Sequence, residues 1–250
     1  MRKFLIILIL ISPAQLWAQN TEDEQADLKR IWNVELSGSY DLSLGSMAER
    51  YGNSFRLGGG ISVKTKKNWV FGGQFLFLLG GQVIEPGLLS NMGTSQNGVI
   101  SKFGEVIKVE AFQRGYMVGL HAGKVFPMND KNLHSGITTI TGVGFMQHKI
   151  NIFDRSNSLA QLDGELKKGY DRLANGIYFR QFLGYTFYHP NKLINFRAGI
   201  DFNYAPIQGR RNWWYDVDQS GFDQRNDMLL GASFSWLIPL YEKNVEETYY

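Results

Sequence analysis

The sequence predicts an all-β protein, an eight-stranded antiparallel transmembrane β-barrel with short periplasmic turns and long extracellular loops. Three observations support this fold class. Long segments alternate between apolar and polar residues, which is the pattern of a strand with two different faces. The first of them exceeds the roughly 9–11 residues with which a tilted strand crosses a bilayer. The connections between the segments alternate between short and long, as they do in outer-membrane barrels.

The alternation is clearest in the first segment, Trp32–Leu44, where even positions are apolar or glycine and odd positions are polar. It recurs in 55–64, 193–207 and 228–240, and less regularly in 69–83, 110–125, 136–150 and 173–188. Gln181 interrupts the apolar face of 173–188, which leaves its register open. These segments make eight strands, and a hairpin within 84–109 or 151–172 would raise the number to ten.

The composition excludes several other classes. The chain has no cysteine, so disulfide scaffolds, thiolate zinc sites and thiol catalysis are excluded. Its formal net charge of +3 is far from the strongly basic composition of nucleic-acid-binding domains. A mean hydropathy of −0.22 with 20% charged residues excludes a polytopic helical membrane protein.

The N-terminus is expected to be a signal peptide over residues 1–18. A basic start is followed by an apolar run, Phe4–Ile11, that is too short to span a bilayer as a helix. We therefore expect Sec-dependent export and an outer-membrane location in a Gram-negative bacterium. The remaining chain divides into a periplasmic lead-in (19–30), the barrel (31–241) and a periplasmic tail (242–250).

A secreted soluble β-sandwich or a lipocalin-like barrel would alternate in the same way. In those folds the apolar face points inward and the strands are usually shorter. Strand length, bulky aromatic residues on the apolar face and the unequal loops favour the arrangement with lipid outside.

The polar face carries charges that would point into the lumen. An eight-stranded barrel is just filled by its own side chains, and an unpaired buried charge is very costly. We therefore predict an ion-pair network in the lumen, and a gated narrow pore is the functional alternative that the sequence leaves open. The predicted network comprises Glu35, Asp41, Arg56, Arg180, Arg197 and Asp201.

The sequence offers no recognisable catalytic, cofactor-binding or metal-binding constellation, so we predict a protein that is not an enzyme and that needs no cofactor. His121 and His148 fall on the inward face of neighbouring strands, where we expect that they can approach each other. The His-x-Ser strand motif of lipid-A deacylase barrels is missing.

The last long loop is the candidate contact loop, with Arg210, Arg211, Trp213, Trp214 and Tyr215. Arginine and aromatic residues are common anchors of protein interfaces. They are equally typical of an interfacial girdle whose basic residues contact anionic lipid. In a neighbouring loop, Asp171 and Arg172 are expected to clamp that loop onto its neighbour by an ion pair.

Four runs in the C-terminal third resemble small outer-membrane barrels from Bacteroidota: GYDRLANGIYFRQFLGYTFY, NFRAGIDF, RRNWWYD and DMLLGASFSWLIPLY. The resemblance implies an accessory subunit of an envelope machine, of the type IX secretion or barrel-assembly class. The partners would then be other proteins of the complex and the lipids of both outer-membrane leaflets, and no nucleic acid. A free-standing structural barrel or narrow pore is the second hypothesis, and a lipid-modifying barrel enzyme is the third.

Overall fold

The computed structural model describes residues 30–94, 98–129, 132–154, 158–159, 162, 164–189 and 194–240. The predicted signal peptide and tail, and all of the lead-in except Arg30, lie outside these residues. The described elements are β1 (Ile31–Gly45), α1 (Ser46–Arg50), β2 (Ser54–Lys64), β3 (Trp69–Gly80), β4 (Val99–Ile100), β5 (Val106–Ile107), β6 (Glu110–Pro127), β7 (Gly136–Phe153), a 3-10 helix (Gly164–Gly169), β8 (Ala174–Tyr188), β9 (Asn195–Gly209), β10 (Trp213–Trp214), β11 (Gln219–Ser220) and β12 (Gln224–Leu240).

Eight of these strands form one closed antiparallel ring, which confirms the predicted fold class. The order round the ring is β1-β12-β9-β8-β7-β6-β3-β2. The four short strands form two separate pairs, β4 with β5 and β10 with β11, within long connections. The hairpin considered for 84–109 therefore exists, but it lies outside the ring, and the barrel has eight strands rather than ten.

The pairing register sets the tilt of the strands. Following the paired residues once round the ring from Trp32 leads back to β1 at Leu42, ten residues further along. A stagger of this size over eight strands corresponds to a tilt of about 40° from the barrel axis. At that tilt the lumen is just wide enough for side chains to fill it.

The two ends of the barrel differ. The described residues of the connections 65–68, 128–135 and 189–194 lie at one end, here called the short-turn end, with the start of β1 and the end of β12. The described residues of the connections 46–53, 81–109, 154–173 and 210–223 lie at the opposite, long-loop end.

The outside of the barrel is apolar. Leu36, Ile61, Leu120 and Ile200 are all more than half exposed on its wall. A soluble barrel would hide such residues inside, so the wall has the character of a membrane-facing surface. Within the part of the chain that the structure describes, no helix is long and apolar enough to cross a membrane.

Two details of the strands differ from the sequence prediction. Several strands are longer at the long-loop end, and β12 begins at Gln224 rather than near Met228. The ladder needs backbone groups rather than apolar side chains, so it continues past the apolar band, where Gln224 pairs with Gln208. Gln181 keeps the β8 register and points outward, bonded to Thr139 (2.9 Å) and Thr141 (2.8 Å) on β7.

Candidate functional site

The six predicted lumen residues all point inward and are buried. They lie on β1, β2, β8 and β9. Because side chains alternate along a strand, these residues share the inward face with neighbouring glycine and serine residues. The structure divides them into a larger group and a separate pair.

The larger group is a chain of ion pairs across the lumen. Arg56 donates two hydrogen bonds to Asp41, at 2.7 and 2.6 Å, and its second terminal nitrogen lies 3.8 Å from Asp201. Arg180 donates to the same Asp201 from Nε at 2.8 Å, and it also donates to Gln74. Asp201 is therefore shared between two guanidinium groups.

The separate pair lies between β1 and β9. Arg197 donates to both carboxylate oxygens of Glu35, each at 3.3 Å, and Ser62 also donates to this carboxylate. Together the six residues bring three negative and three positive charges into the lumen. Their charges cancel, and their side chains extend across the space that a pore would need.

The expectation that His121 and His148 approach each other is wrong. In the β6–β7 register His121 pairs with Gly142, whereas His148 pairs with Gly115. Six residues of β7 separate the two levels, which corresponds to about 20 Å along the strand. Both side chains point inward, as predicted, but they belong to different layers of the lumen.

His148 belongs to a cluster at the long-loop end that the sequence analysis missed. Its Nε2 lies 2.7 Å from Asp227, and its Nδ1 lies 3.2 Å from the hydroxyl of Tyr51. All three side chains are buried, and burial raises the pKa of the Tyr51 phenol, so Tyr51 stays a neutral donor. Tyr51 comes from the first connection, which bends into the barrel mouth with Met47 of α1 fully buried.

We use the term cap for residues 46–53, 81–94, 164–173 and 210–223, which pack together over this mouth. Arg172 holds the cap together. It donates to Asp216 (2.8 Å) and Glu85 (3.0 Å), and Arg50 donates to the same Glu85. The Trp214 ring packs against both guanidinium groups, with its centroid 4.5 Å from Arg172 and 5.3 Å from Arg50. Buried ion pairs and the buried indole of Trp214 therefore hold the cap together.

The predicted contact loop is divided by this arrangement. Arg211 donates to Asp171 at 2.8 and 2.5 Å, and these bonds raise the pKa of its guanidinium. Trp214 is buried and is not available to a partner, whereas the Arg211 side chain is 20% exposed and its guanidinium is engaged by Asp171. The expected clamp between the two loops is present, because Asp171 pairs with Arg211 and Arg172 pairs with Asp216, both in the last long loop.

The other three residues of the contact loop lie at the surface. Arg210 donates to Asn175 at 2.6 Å on the outside of the barrel. Trp213 and Tyr215 are exposed by 45% and 47%, and the Tyr215 ring contacts Tyr170 edge-on at 5.8 Å. The Tyr215 ring lies against Gly169 and Tyr170, and Trp213 Nε1 donates to Asp218 at 3.0 Å, so both half-exposed rings are held in place. Among the described residues, no three His, Asp or Glu side chains are grouped to hold a metal ion.

No family model matches the sequence, and no curated protein matches it. Several solved structures are similar in fold. Neisserial surface protein A (NspA) is 11% identical, with a TM-score of 0.47 over 83% of this chain and 96% of that chain. Ail, the attachment invasion locus protein of Yersinia pestis, is 11% identical, with a TM-score of 0.45 over 84% and 99%. OprG from Pseudomonas aeruginosa is 12% identical, with a TM-score of 0.33 over 83% and 95%. Identities and scores this low transfer no function.

Proposed function

We propose that this chain is an integral outer-membrane barrel that acts as a non-enzymatic accessory subunit of an outer-membrane protein assembly, of the type IX secretion or barrel-assembly class. Its cap would face the outside of the cell and bind a protein partner. The observation that carries the proposal is the pair of half-exposed rings, Trp213 and Tyr215, on a cap held by buried ion pairs.

The construction of the cap supports this function. Binding costs free energy when surface side chains and loops must be ordered, so a preordered surface binds more tightly. Tyr215 is fixed by its backbone bond to Gly169 O (3.1 Å) and by Asn91, which donates to its carbonyl at 3.1 Å. Exposed tryptophan and tyrosine on such a support are the residue types that dominate binding energy at protein interfaces.

The lumen favours this function over a narrow pore. Arg180 reaches Gln74 on β3 and Asp201 on β9, and Arg197 on β9 reaches Glu35 on β1. Ions would have to break these buried pairs to pass.

The experiment is the native size of the protein after mild-detergent extraction from its own membrane, with mass spectrometry of the proteins that co-purify. We expect a large stoichiometric complex for the wild type and a lone barrel for the double variant Trp213→Ala/Tyr215→Ala. Trp236→Ala is the matched control, because Trp236 is exposed to a similar degree (49%) but lies on the lipid-facing wall. A wild-type protein that migrates as a lone barrel would contradict the proposal.

A further inference from the structure

The outer wall of β6 carries two cations, one near each end. Arg114 and Lys124 both point outward, and the outward residues between them are Tyr116, Val118, Leu120 and Ala122. Ten residues of a strand tilted by about 40° rise by about 25 Å along the barrel axis. Transmembrane barrels have an apolar band about 25 Å tall. Arg114 therefore lies where the hydrocarbon layer ends at the long-loop side, and Lys124 lies at the opposite boundary.

Arg114 has a like charge as its direct neighbour. The β6–β7 register places it opposite Lys149, which also points outward. Like charges in directly opposed positions destabilise a sheet. Within the described chain neither residue forms an ion pair, and Glu110, the next carboxylate on this face of β6, is four residues away, about 13 Å. Among the residues that the structure describes, the pair therefore has no counter-charge.

The Arg114 guanidinium is already held in place. Its Nη1 donates to Gly80 O (3.2 Å) and Gln113 O (2.7 Å), and its Cζ lies 5.0 Å from the centroid of the Phe112 ring. In the described part of the molecule its Nε and Nη2 have no partner, so they stay available as a donor fork. The guanidinium fork of Arg114 and the ammonium group of the directly opposed Lys149 suit a phosphate, which accepts two hydrogen bonds from arginine and a charge contact from lysine.

The surroundings fit a lipid rather than a free anion. Leu79 lies beside Arg114 on β3, and the next outward residues towards the middle of the wall are Tyr116 and Phe77. Beside the two cations, Gln147 accepts a hydrogen bond from Asn175, which in turn accepts one from Arg210, so polar and basic groups continue round this rim.

We propose that Arg114 and Lys149 bind the phosphate group of a lipid A-type glycolipid, whose acyl chains lie along the wall below them. The proposal goes beyond the partner-binding function and rests on the outer-membrane location given there.

The experiment uses the full barrel purified in detergent and mixed with bisphosphorylated lipid A, with retained lipid read by native mass spectrometry. We expect one lipid A to be retained by the wild type, and retention to fall by about tenfold or more in Arg114→Gln/Lys149→Gln. Lys124→Gln is the matched control, since Lys124 is an outward cation of the same strand that also packs on aromatic rings. It should retain lipid as the wild type does.

Two further measurements show whether the membrane location, the binding site or the identity of the lipid is at fault if the expected result is not obtained. A heat-dependent gel shift in the same samples reports folding, and a wild type without it would overturn the membrane location itself. Folded Arg114→Gln/Lys149→Gln that retains lipid A as the wild type does would overturn the site while leaving the partner-binding proposal untouched. Equal retention of phosphatidylglycerol by the wild type would overturn lipid A as the source of the phosphate.

Discussion

Each charged side chain of the lumen network is stabilised by a neighbouring side chain of opposite charge. Glu35 and Arg197 are both buried and bond to each other at 3.3 Å. Removal of one member of a buried pair typically costs about 3–5 kcal/mol, because it strands the other charge, whereas replacing both members with apolar residues is often close to neutral.

We therefore predict that Glu35→Gln lowers the free energy of unfolding by about 3 kcal/mol. The double variant Glu35→Leu/Arg197→Leu should lose clearly less. Urea unfolding of the barrel in lipid vesicles, followed by tryptophan fluorescence, measures both. Equal losses of unfolding free energy in the two variants would show that the unpaired charge of Arg197 is not the cause of the loss in Glu35→Gln.

A histidine in a turn at the short-turn end makes stability depend on pH. Burial, reinforced by the neighbouring charge of Lys64, lowers the pKa of His134 from 6.5 to about 4. Its Nδ1 lies 3.0 Å from the Lys64 ammonium and is suited to accept from it while the ring is neutral. Between these two pKa values the unfolded chain binds a proton that the folded protein does not, so the stability present above pH 6.5 is lost as the pH falls towards 4.

We predict a lower urea midpoint at pH 5 than at pH 7, and a smaller difference between the two in His134→Asn. Asparagine keeps an acceptor for Lys64 but does not titrate. His189→Asn, a change in another turn at the same end, serves as the control and should keep the wild-type difference. An unchanged pH dependence in His134→Asn would exclude this residue as the cause.

At the scale of elements, the inner wall depends on glycine where β6, β7 and β8 meet. A methyl group on Gly144 would lie 2.2 Å from the carbonyl oxygen of Val118 and 2.6 Å from the Tyr178 ring. Neither the backbone nor the buried ring can move away easily. On the outer wall, a methyl group on Gly73 would meet only the flexible end of Leu120 at 3.3 Å and the Gly119 carbonyl oxygen at 3.6 Å.

Gly144→Ala is therefore expected to lower the free energy of unfolding by about 2 kcal/mol. Gly73→Ala, the matched outward change, should alter it by about 0.5 kcal/mol or less. The urea midpoints of the two variants test the difference. An unchanged urea midpoint in Gly144→Ala would mean that the neighbouring strands move enough to accommodate the methyl group.

The strands were predictable from sequence because a period of two is a local signal. Alternation from Trp32 to Leu44 shows which side chains share a face without any knowledge of the neighbours. It does not show which charges meet across the lumen. Arg197 and Asp201 share a face of β9, yet Arg197 bonds to Glu35, and Asp201 bonds to Arg56 and Arg180.

The cap was not predictable from sequence, because its contacts join distant connections that have no periodic pattern. Tyr51 and His148 are ninety-seven residues apart. Trp213 and Trp214 are identical neighbours in β10, so their rings lie on opposite sides of the strand, and the sequence does not show that the side of Trp214 is the one buried against Arg50 and Arg172.

At the scale of the whole molecule, the barrel is a closed wall around a filled interior. The charges of the lumen network cancel, and Tyr51, His148 and Asp227 close the mouth at the long-loop end. We expect no steady ion conductance from the wild type in planar lipid bilayers, because each passing ion would have to displace buried pairs. Stable channels whose conductance changes in Arg197→Ala would contradict this and would favour the narrow-pore hypothesis.

The pairing of β1 with β12 has a consequence for biogenesis. This seam joins residues that lie 182 to 208 positions apart, from Gly45 with Asp227 to Trp32 with Leu240, so it has the longest sequence separation in the ring. Contacts of such separation form slowly, since the entropy of a long loop must be lost first. Until the C-terminal strand arrives, β1 and β9 expose unpaired edges that invite aggregation. We therefore expect the β1–β12 pairing to be the last step of barrel closure, and a chain caught before that step to associate through the open edges of β1 and β9.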